Sequence, residues 1–385
     1  MAEPQTANAI TAGRRETPPF RADHVGSLLR PKRLLDAREE FAAGRLSGEQ
    51  LRAVEDDAIR DVVRMQRDVG LQSATDGEFR RGSWHMDFIY QLGGVEKRPP
   101  GDIKVQFHNE QGDIEFAPAS IYIGDRVHLA EPIFAKDFRF LQDQVQDGVT
   151  PKLTIPSPSM VHYRGGRAAI DQSVYPDIDE FWRDLTGAYA DQVKAVAEMG
   201  GRYLQFDDTS LAYLNDPRQR EEMAGKGEDA EHLHETYIRH INEALADKPA
   251  GLTVTTHMCR GNFRSSWVAE GGYDFVAEAL FGELAVDGFF LEYDDARSGG
   301  FEPLRFVPQE KLVVLGLVTT KRGELESKDE LKRRIDEASR YVALEQLCLS
   351  PQCGFSSTVE GNSVTFDEQV AKLSLIVEVA AEVWG

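Results

Sequence analysis

The residues best suited to chemistry in this chain are a histidine and a cysteine two positions apart, His257 and Cys259. They end a β-type run that begins at Leu252, and the Gly261-Asn262 pair after them predicts a turn. Side chains in a strand alternate between its two faces, so residues two apart point the same way. An imidazole nitrogen and a cysteine sulfur both suit Zn²⁺. The spacing therefore indicates a pair of zinc ligands, with two structural residues as the alternative.

Cysteine is used sparingly, because only Cys259, Cys348 and Cys353 occur, all in the last third of the chain. In a chain that looks cytosolic, such sparse use favours metal binding or catalysis over a framework of disulfide bonds. The alternatives are a disulfide bond between Cys259 and Cys353, or plain buried thiols.

The composition is that of an ordinary soluble globular protein, with 41% hydrophobic and 28% charged residues. A formal net charge of −21 argues against nucleic acid and anionic membranes as partners, because both carry negative charge. No apolar run approaches the roughly 18 residues that a membrane helix needs, and residues 1–18 lack the apolar core of a signal peptide. We therefore expect a cytoplasmic protein with a disordered tail at 1–18 and a single domain at 19–385.

Eight short strands alternate with helices along the chain. The first is a short strand that runs into a loop within residues 20–27, and the others cover residues 71–75, 151–155, 202–206, 252–256, 287–291, 311–317 and 346–349. Strands that alternate with helices predict a parallel sheet, and eight such units favour a (β/α)₈ barrel over an open doubly wound sheet. No glycine-rich phosphate-binding motif follows any of these strands. The predicted fold class is therefore α/β, a (β/α)₈ TIM barrel.

The region at about 95–135 interrupts the alternation of strands and helices. Residues 103–107 and 113–116 alternate between apolar and polar, and a polar Gly-containing segment, 109–112, separates them. This pattern is typical of a β-hairpin. We expect a β-hairpin insertion after the second strand region, lying over one face of the barrel.

Unusual polar residues follow the predicted strands. They are His24 and Ser27, Asp76 and Glu78, Asp207 and Asp208, His257 and Cys259, Glu292, and Cys353. A barrel brings the carboxyl ends of its strands together, and its reactive groups lie there. The barrel therefore predicts a tetrahedral zinc site, whose ligands are His257, Cys259, Glu292 and Cys353. In the alternative, Glu292 is a solvated acid and Cys353 is a small core residue.

Three segments carry a resemblance to a known family: residues 256–263, 205–208 and 350–354. They resemble the catalytic barrel of cobalamin-independent methionine synthase, and most of the chain is similar to the short single-barrel members of that family. The resemblance implies the same four zinc ligands. The matched residues are His257, Cys259, Glu292 and Cys353.

The resemblance implies a zinc-dependent thiol methyltransferase of methionine biosynthesis with Zn²⁺ as its cofactor. A small-molecule thiol, with homocysteine as the leading acceptor, would bind as a zinc thiolate and attack a methyl donor to give a thioether such as methionine. Two alternatives stay open. One is a zinc-dependent alkyl transferase that joins another thiol, such as coenzyme M, to an epoxide. The other is a barrel that binds zinc or a thiol without turnover.

The acceptor pocket can also be matched to the family. The matched residues are Val25, Gly26, Ser27, Glu78 and Asp207. Glu78 and Asp207 would supply the carboxylates that a substrate ammonium group needs. In the alternative, these two acids form ion pairs with Arg80 or Arg81 at the mouth of the barrel.

The chain departs from the family where the methyl donor binds. The tryptophan that stacks on folate has no counterpart, and Thr319-Thr320 stands near the position of a proton-transferring histidine. The donor is therefore left open between a methyl-folate and another methyl compound. Five residues are candidates for supporting the site or lining a different donor pocket: His24, Asp208, Trp84, His85 and Arg80. The alternative is that they only pack in the core or hold the insertion against the barrel.

Overall fold

The computed structural model describes residues 15–99, 105–109, 112–116 and 120–385. The strands are β1 (Ser73–Ala74), β2 (Gly93–Arg98), β3 (Val105–Asn109), β4 (Gly112–Phe116), β5 (Ser120–His128), β6 (Thr150–Pro156), β7 (Tyr203–Asp208), β8 (Thr253–Met258), β9 (Gly288–Glu292), β10 (Leu312–Val318) and β11 (Leu347–Pro351). The predicted tail at 1–18 lies outside the described residues, except for residues 15–18.

Twelve α-helices alternate with these strands in the described chain. They are α1 (Lys32–Ala42), α2 (Gly48–Asp68), α3 (Met86–Ile89), α4 (Ala135–Gln144), α5 (Ser159–Tyr163), α6 (Ile178–Glu198), α7 (Ser210–Tyr213), α8 (Pro217–Gly225), α9 (Leu233–Leu245), α10 (Ala277–Glu283), α11 (Lys328–Ala338) and α12 (Phe366–Trp384). Short 3₁₀ helices cover Gly166–Ala169, Ala296–Ser298, Glu302–Phe306 and Leu344–Gln346. None of the described helices combines the length and the apolar character needed to cross a membrane.

Seven strands form one curled parallel sheet in the order β1-β6-β7-β8-β9-β10-β11. Residues 21–23 lie in the eighth position, beside β11, where Ala22 forms a parallel bridge with Leu349. The amide of Asp23 donates to the Leu349 carbonyl at 3.0 Å. The predicted (β/α)₈ barrel is confirmed, and seven of the eight predicted strands form within a few residues of their predicted bounds.

The predicted short first strand within residues 20–27 is reduced to a single bridge, between Ala22 and Leu349. The Asp23 carboxylate accepts the amides of Phe20 and His24, at 3.0 and 2.8 Å, so these groups do not join a backbone ladder. The same carboxylate accepts the hydroxyl of Ser73 on β1 at 2.9 Å. Side-chain hydrogen bonds therefore connect this segment to β1, where a regular strand would use its backbone.

A layer of inward-facing side chains fills the barrel beneath the strand ends. Tyr203, Phe290, Val314 and Cys348 belong to one buried cluster, each from a different strand. The ammonium group of Lys152 on β6 lies 4.7 and 4.1 Å from the ring centres of Tyr203 and Phe290. The barrel interior is thus closed by packing, and the open space lies at the carboxyl ends of the strands.

The predicted hairpin insertion is present. Strands β3 and β4 pair in antiparallel register with Asn109 opposite Gly112, and β2 pairs with β5. The hairpin contacts the loop that follows β8, because the backbones of His108 and Trp267 exchange hydrogen bonds of 2.7 and 2.9 Å. The insertion therefore lies over the carboxyl end of the barrel.

Two buried histidines should make the fold sensitive to acid. Burial lowers the pKa of His24 and of His162 to about 4, with further lowering by Lys152 and His240 respectively. The unfolded chain then binds more protons between the unfolded pKa of about 6.5 and the folded value, so stability falls as pH falls through this window. We expect each histidine to cost roughly 2 kcal/mol of unfolding free energy between pH 7 and pH 5.

Urea unfolding at pH 7, 6 and 5 measures this loss. A His162→Gln variant should lose the contribution of His162, which is about 2 kcal/mol between pH 7 and pH 5, since glutamine has no proton to gain. A variant whose urea midpoint falls between pH 7 and 5 as far as that of the unchanged chain would contradict the prediction.

Candidate metal centre

One histidine and two cysteines converge at the carboxyl ends of β8 and β11. The ligand atoms of His257, Cys259 and Cys353 all lie within 4.8 Å of one another, and all three residues are buried. The two sulfurs are 3.4 Å apart and belong to free thiols. The structure therefore brings together three of the four predicted zinc ligands.

The local backbone explains this convergence. His257 lies one residue before the end of β8, in register with Asp207 on β7, and Cys259 follows at the start of the loop. Gly261 then turns the chain with φ +89°, and a side chain there would lie 2.7 Å from the Tyr213 hydroxyl. The Asn262 amide donates to the Gly354 carbonyl at 2.8 Å. This bond ties the loop after β8 to the loop that carries Cys353.

The donor atoms fit a soft divalent cation. Neither ring nitrogen of His257 has a hydrogen-bond partner among the described residues. The neighbouring Cys259 thiol, with further help from His257, holds the pKa of Cys353 well below its usual range. The pKa of Cys259 is raised, chiefly by Cys353. One thiolate thus forms readily beside an uncommitted imidazole, which is the donor set that Zn²⁺ takes in proteins.

Glu292, the fourth predicted ligand, is buried at the end of β9 but outside the group of three. One carboxylate oxygen lies 3.8 Å from the Arg260 guanidinium, and the other has no hydrogen-bond partner among the described residues. Burial raises the pKa of Glu292 to about 7, against the attraction of Lys321. The carboxylate therefore has a free oxygen available for a cation.

A cavity of about 280 Å³ opens beside the two thiols. Val25, Ser27, Glu78 and Asp207 line it together with the three converging ligands. Gly26 lies between Val25 and Ser27, and a side chain there would come within 2.7 Å of a Thr154 methyl group. Four of the five residues predicted for the acceptor pocket thus line the cavity, and Gly26 connects two of them.

Glu78 is held in a strained backbone conformation with φ +61°, which non-glycine residues rarely adopt. Its amide donates to Asp76 at 2.9 Å, and one carboxylate oxygen accepts the Thr154 hydroxyl at 2.7 Å. The guanidinium of Arg81 lies 3.4 Å from the same oxygen. The ion pair with Arg81, which was the alternative to substrate binding, therefore exists for Glu78, yet the second oxygen of Glu78 has no partner among the described residues.

The two pocket carboxylates disfavour each other's charge. Burial raises the pKa of Asp207 to about 7, and the nearby Glu78 raises it further. Burial also raises the pKa of Glu78, although Arg81 opposes this. A ligand ammonium between the two acids would favour the charged form of both, since it would add a second positive charge to that of Arg81.

The five candidate supporting residues divide into two groups. Trp84 and His85 line the cavity, with their rings 4.3 Å apart. His85 bonds to the Ser83 hydroxyl through one ring nitrogen at 3.2 Å, and the other nitrogen has no partner among the described residues. These two side chains are therefore positioned to contact a ligand.

His24, Asp208 and Arg80 do not line the cavity. The Asp208 carboxylate accepts hydrogen bonds from three hydroxyl groups and from the Leu211 amide, so it supports the start of α7. Arg80 pairs with Asp56 on α2 and with Asp137 on α4. His24 is buried in the barrel, where its carbonyl accepts the Lys152 ammonium at 2.6 Å.

Arg164 and Tyr213 are among the residues of the cavity wall that sequence reasoning missed. Arg164 follows α5, and Tyr213 ends α7. Both elements are one-turn helices inserted after β6 and β7. Short helices of four or five residues carry no periodic signal, so only the three-dimensional arrangement reveals them.

Comparison with known proteins agrees with this geometry. Residues 20–382 match the cobalamin-independent synthase catalytic domain. The chain is 48% identical over 367 residues to the uncharacterized protein YxjH of Bacillus subtilis, with 95% of each chain covered. A putative vitamin-B12 independent methionine synthase from Listeria monocytogenes is 40% identical in its crystal structure, with a TM-score of 0.78 over 96% of this chain and 100% of that one.

A more distant structure shares the fold. The B12-independent methionine synthase from Shewanella sp. W3-18-1, solved in complex with selenomethionine, superposes with a TM-score of 0.69 at 18% identity, over 94% of this chain and 97% of that one. The match to the family extends over nearly the whole described barrel and includes both loops that carry the converging ligands. The chain therefore belongs to the cobalamin-independent methionine synthase family, among its single-barrel members.

Proposed function

We propose that this protein is a zinc-dependent thiol methyltransferase with homocysteine as its acceptor and methionine as its product. One observation carries the proposal. The ligand atoms of buried His257, Cys259 and Cys353 lie within 4.8 Å of one another, beside a cavity that is large enough for a small molecule. Membership of the methionine synthase family supports the reaction class.

Four buried residues would bind the metal ion. His257, Cys259 and Cys353 would hold the zinc ion, and Glu292 would offer its free oxygen as a fourth ligand. Bound zinc lowers the pKa of a thiol, so that a nucleophilic thiolate exists at neutral pH. The burial of all four side chains excludes water, which strengthens the electrostatic interactions of the site.

An amino acid acceptor suits the pocket. Glu78 and Asp207 line the cavity, and burial raises the pKa of both carboxyl groups. The ammonium group of an amino acid would form an ion pair with both carboxylates. Ser27 offers a hydroxyl group to the substrate carboxylate. The selenomethionine bound by the Shewanella relative is an amino acid of the same shape as methionine, which supports this choice of acceptor.

The alkyl transferase alternative needs a cation for the sulfonate of coenzyme M. Arg80 is committed to Asp56 and Asp137, and Arg81 is committed to Glu78. Arg164 also lines the cavity, so coenzyme M belongs among the thiols to be tested.

Metal content and thiol binding test the proposal. Zinc is quantified on the purified protein, and homocysteine, coenzyme M, cysteine and glutathione are titrated into a cobalt-substituted sample. We expect about one metal per chain and a thiolate-to-metal charge-transfer band with homocysteine. A band with coenzyme M instead would favour alkyl transfer. Absence of metal would overturn the proposal, and a band without methyl transfer to any donor would favour a binding protein.

A further inference from the structure

The cavity of about 280 Å³ beside the two thiols, the thiol pocket, has a tyrosine hydroxyl in its wall. The residue is Tyr213, which ends α7 and lines the pocket together with His257, Cys259 and Cys353. Its hydroxyl forms no hydrogen bond within the part of the chain that the structure describes. A hydroxyl that leaves water without gaining a partner costs free energy, so a ligand atom in the pocket that accepts its hydrogen bond would be stabilised there.

Gly261 lets this hydroxyl approach the loop that carries Cys259. A side chain at position 261 would lie 2.7 Å from the Tyr213 hydroxyl oxygen and 2.9 Å from a methyl group of Val268. Gly261 also has φ +89°, a conformation that favours glycine. The phenol therefore packs directly against the backbone two residues beyond Cys259, at a place that any larger residue would fill.

The Tyr213 hydroxyl also lies within electrostatic reach of the candidate metal centre. Burial raises the pKa of Tyr213, and the charges of Cys259, Glu292 and Cys353 raise it further, whereas Arg164 opposes them. The phenol therefore keeps its proton at neutral pH and can act as a hydrogen-bond donor. Negative charge at the metal centre attracts the hydrogen end of this O–H group.

Tyrosines on the neighbouring helices use their hydroxyl groups within the fold. Tyr163 donates to the Gln219 side chain at 3.1 Å, and Tyr237 forms a hydrogen bond of 3.0 Å with the His162 ring. The rings of Tyr163 and Tyr213 pack edge to face, with centres 5.9 Å apart. Tyr213 thus shares the packing of its neighbours but differs in its free hydroxyl.

Other donors in the wall of the thiol pocket are already engaged. The side-chain amide of Asn262 donates to the Gly354 carbonyl at 2.8 Å. The Thr209 hydroxyl donates to the sulfur of Met160 at 3.3 Å. A ligand beside the metal centre would take neither hydrogen bond without breaking one within the fold, whereas Tyr213 has its donor available.

We propose that Tyr213 is a catalytic residue whose hydroxyl donates a hydrogen bond to the sulfur of the acceptor thiolate. The assignment rests on the thiol methyltransferase function proposed above. It gives the one-turn helix α7 a role in the chemistry, because α7 places the phenol at the wall of the thiol pocket.

This hydrogen bond would distinguish the substrate from the product. A hydrogen bond to a charged acceptor is roughly twice as strong as one between neutral groups. The thiolate sulfur of the substrate carries a negative charge, whereas the thioether sulfur of methionine is neutral and only a weak acceptor. Tyr213 therefore favours the bound thiolate over the bound product. The phenol keeps its own proton throughout, and the proton of the acceptor thiol leaves to solvent.

A Tyr213→Phe variant tests the hydrogen bond, because it removes the hydroxyl and keeps the ring. Homocysteine is titrated into the cobalt-substituted variant and into the cobalt-substituted unchanged chain. The variant should bind homocysteine roughly tenfold to 100-fold more weakly, as expected for the loss of a hydrogen bond to a charged group. Its thiolate-to-metal charge-transfer band should move to longer wavelength, because a hydrogen bond lowers the energy of the sulfur electrons. An affinity within about threefold of the unchanged chain, or a band that does not move, would overturn the proposal.

Tyr163→Phe is the matched control. It removes the hydroxyl of the tyrosine packed against Tyr213, whose partner is Gln219 and which does not line the thiol pocket. The band should keep its wavelength, and the homocysteine affinity should change less than about threefold. Equal effects of Tyr163→Phe and Tyr213→Phe would show that packing, not a hydrogen bond to sulfur, is responsible, and would refute the role of Tyr213.

Methionine serves as the second control, because it has the same amino acid part and a neutral sulfur. Calorimetric titration of the cobalt-substituted samples gives its affinity. Tyr213→Phe should change the affinity for methionine less than about threefold. Equal losses for methionine and homocysteine would contradict the proposal, since the charge on sulfur would then have no influence.

The unchanged chain separates this inference from the function on which it rests. If homocysteine gives no charge-transfer band in the cobalt-substituted unchanged chain, both the methyltransferase proposal and the role of Tyr213 are refuted. If the band is present and Tyr213→Phe alters neither its wavelength nor the affinity, only the role of Tyr213 is refuted.

Discussion

Replacement of Cys353 by serine is expected to lower zinc affinity at least about 100-fold and to remove methyl transfer. Zinc binds the thiolate form of cysteine, and a serine hydroxyl stays protonated at neutral pH. The substitution also removes the thiol whose pKa Cys259 and His257 hold below its usual range. Metal content after dialysis against a weak chelator, together with single-turnover methyl transfer, measures both effects.

Cys348→Ser is the control for this prediction. Cys348 is equally buried, but it lies in the inward-facing layer with Tyr203, Phe290 and Val314 and belongs to no metal group among the described residues. We expect unchanged zinc content and a loss of about 1–2 kcal/mol of unfolding free energy, because a hydroxyl replaces a weakly polar thiol. Loss of zinc in Cys348→Ser but not in Cys353→Ser would show that the assignment of ligands is wrong.

The barrel and its reactive end could be predicted from the sequence because both depend on local patterns. Short apolar runs between helices define the strands, and the period of two along a strand places His257 and Cys259 on one side. Parallel strands in a barrel end on the same side, so polar residues after each strand gather there. The cluster of His257, Cys259 and Cys353 follows from these two rules.

Other features depend on side chains distant in sequence. The first strand is a single bridge because the Asp23 carboxylate takes the amides of Phe20 and His24. Arg80 and Asp208 follow strands like the site residues do, yet each has partners outside the cavity. Position after a strand therefore predicts proximity to the site, but the direction of a side chain depends on competing partners.

A larger cavity, of about 890 Å³, adjoins the thiol pocket and depends least on local sequence patterns. Its walls combine the insertion with short helices from other units of the barrel, and no motif joins them. The sequence predicts Trp84 and His85 as candidates for a different donor pocket, and both line the thiol pocket. Arg164 gives no signal in the sequence because a lone arginine usually lies in a solvated ion pair.

Asp207→Asn is expected to weaken homocysteine binding roughly 100-fold, because it removes one of two carboxylates that hold the substrate ammonium. Asparagine keeps the shape of the side chain and can still accept the hydrogen bond from Gln205, which is 2.6 Å long in the unchanged chain. The loss should therefore come from charge, not from packing. The charge-transfer band of the cobalt-substituted protein gives the affinity directly.

A thiol without the ammonium group makes this test specific. 4-Mercaptobutyrate has the carbon chain, thiol and carboxylate of homocysteine but no amine, so Asp207→Asn should change its affinity less than about threefold. Glu360→Gln serves as the matched variant, since it removes an exposed carboxylate from the mouth of the same cavity and should leave both affinities unchanged. Equal losses for the two thiols in Asp207→Asn would contradict the prediction, because they would show that Asp207 acts on a part that both ligands share and not on the substrate ammonium group.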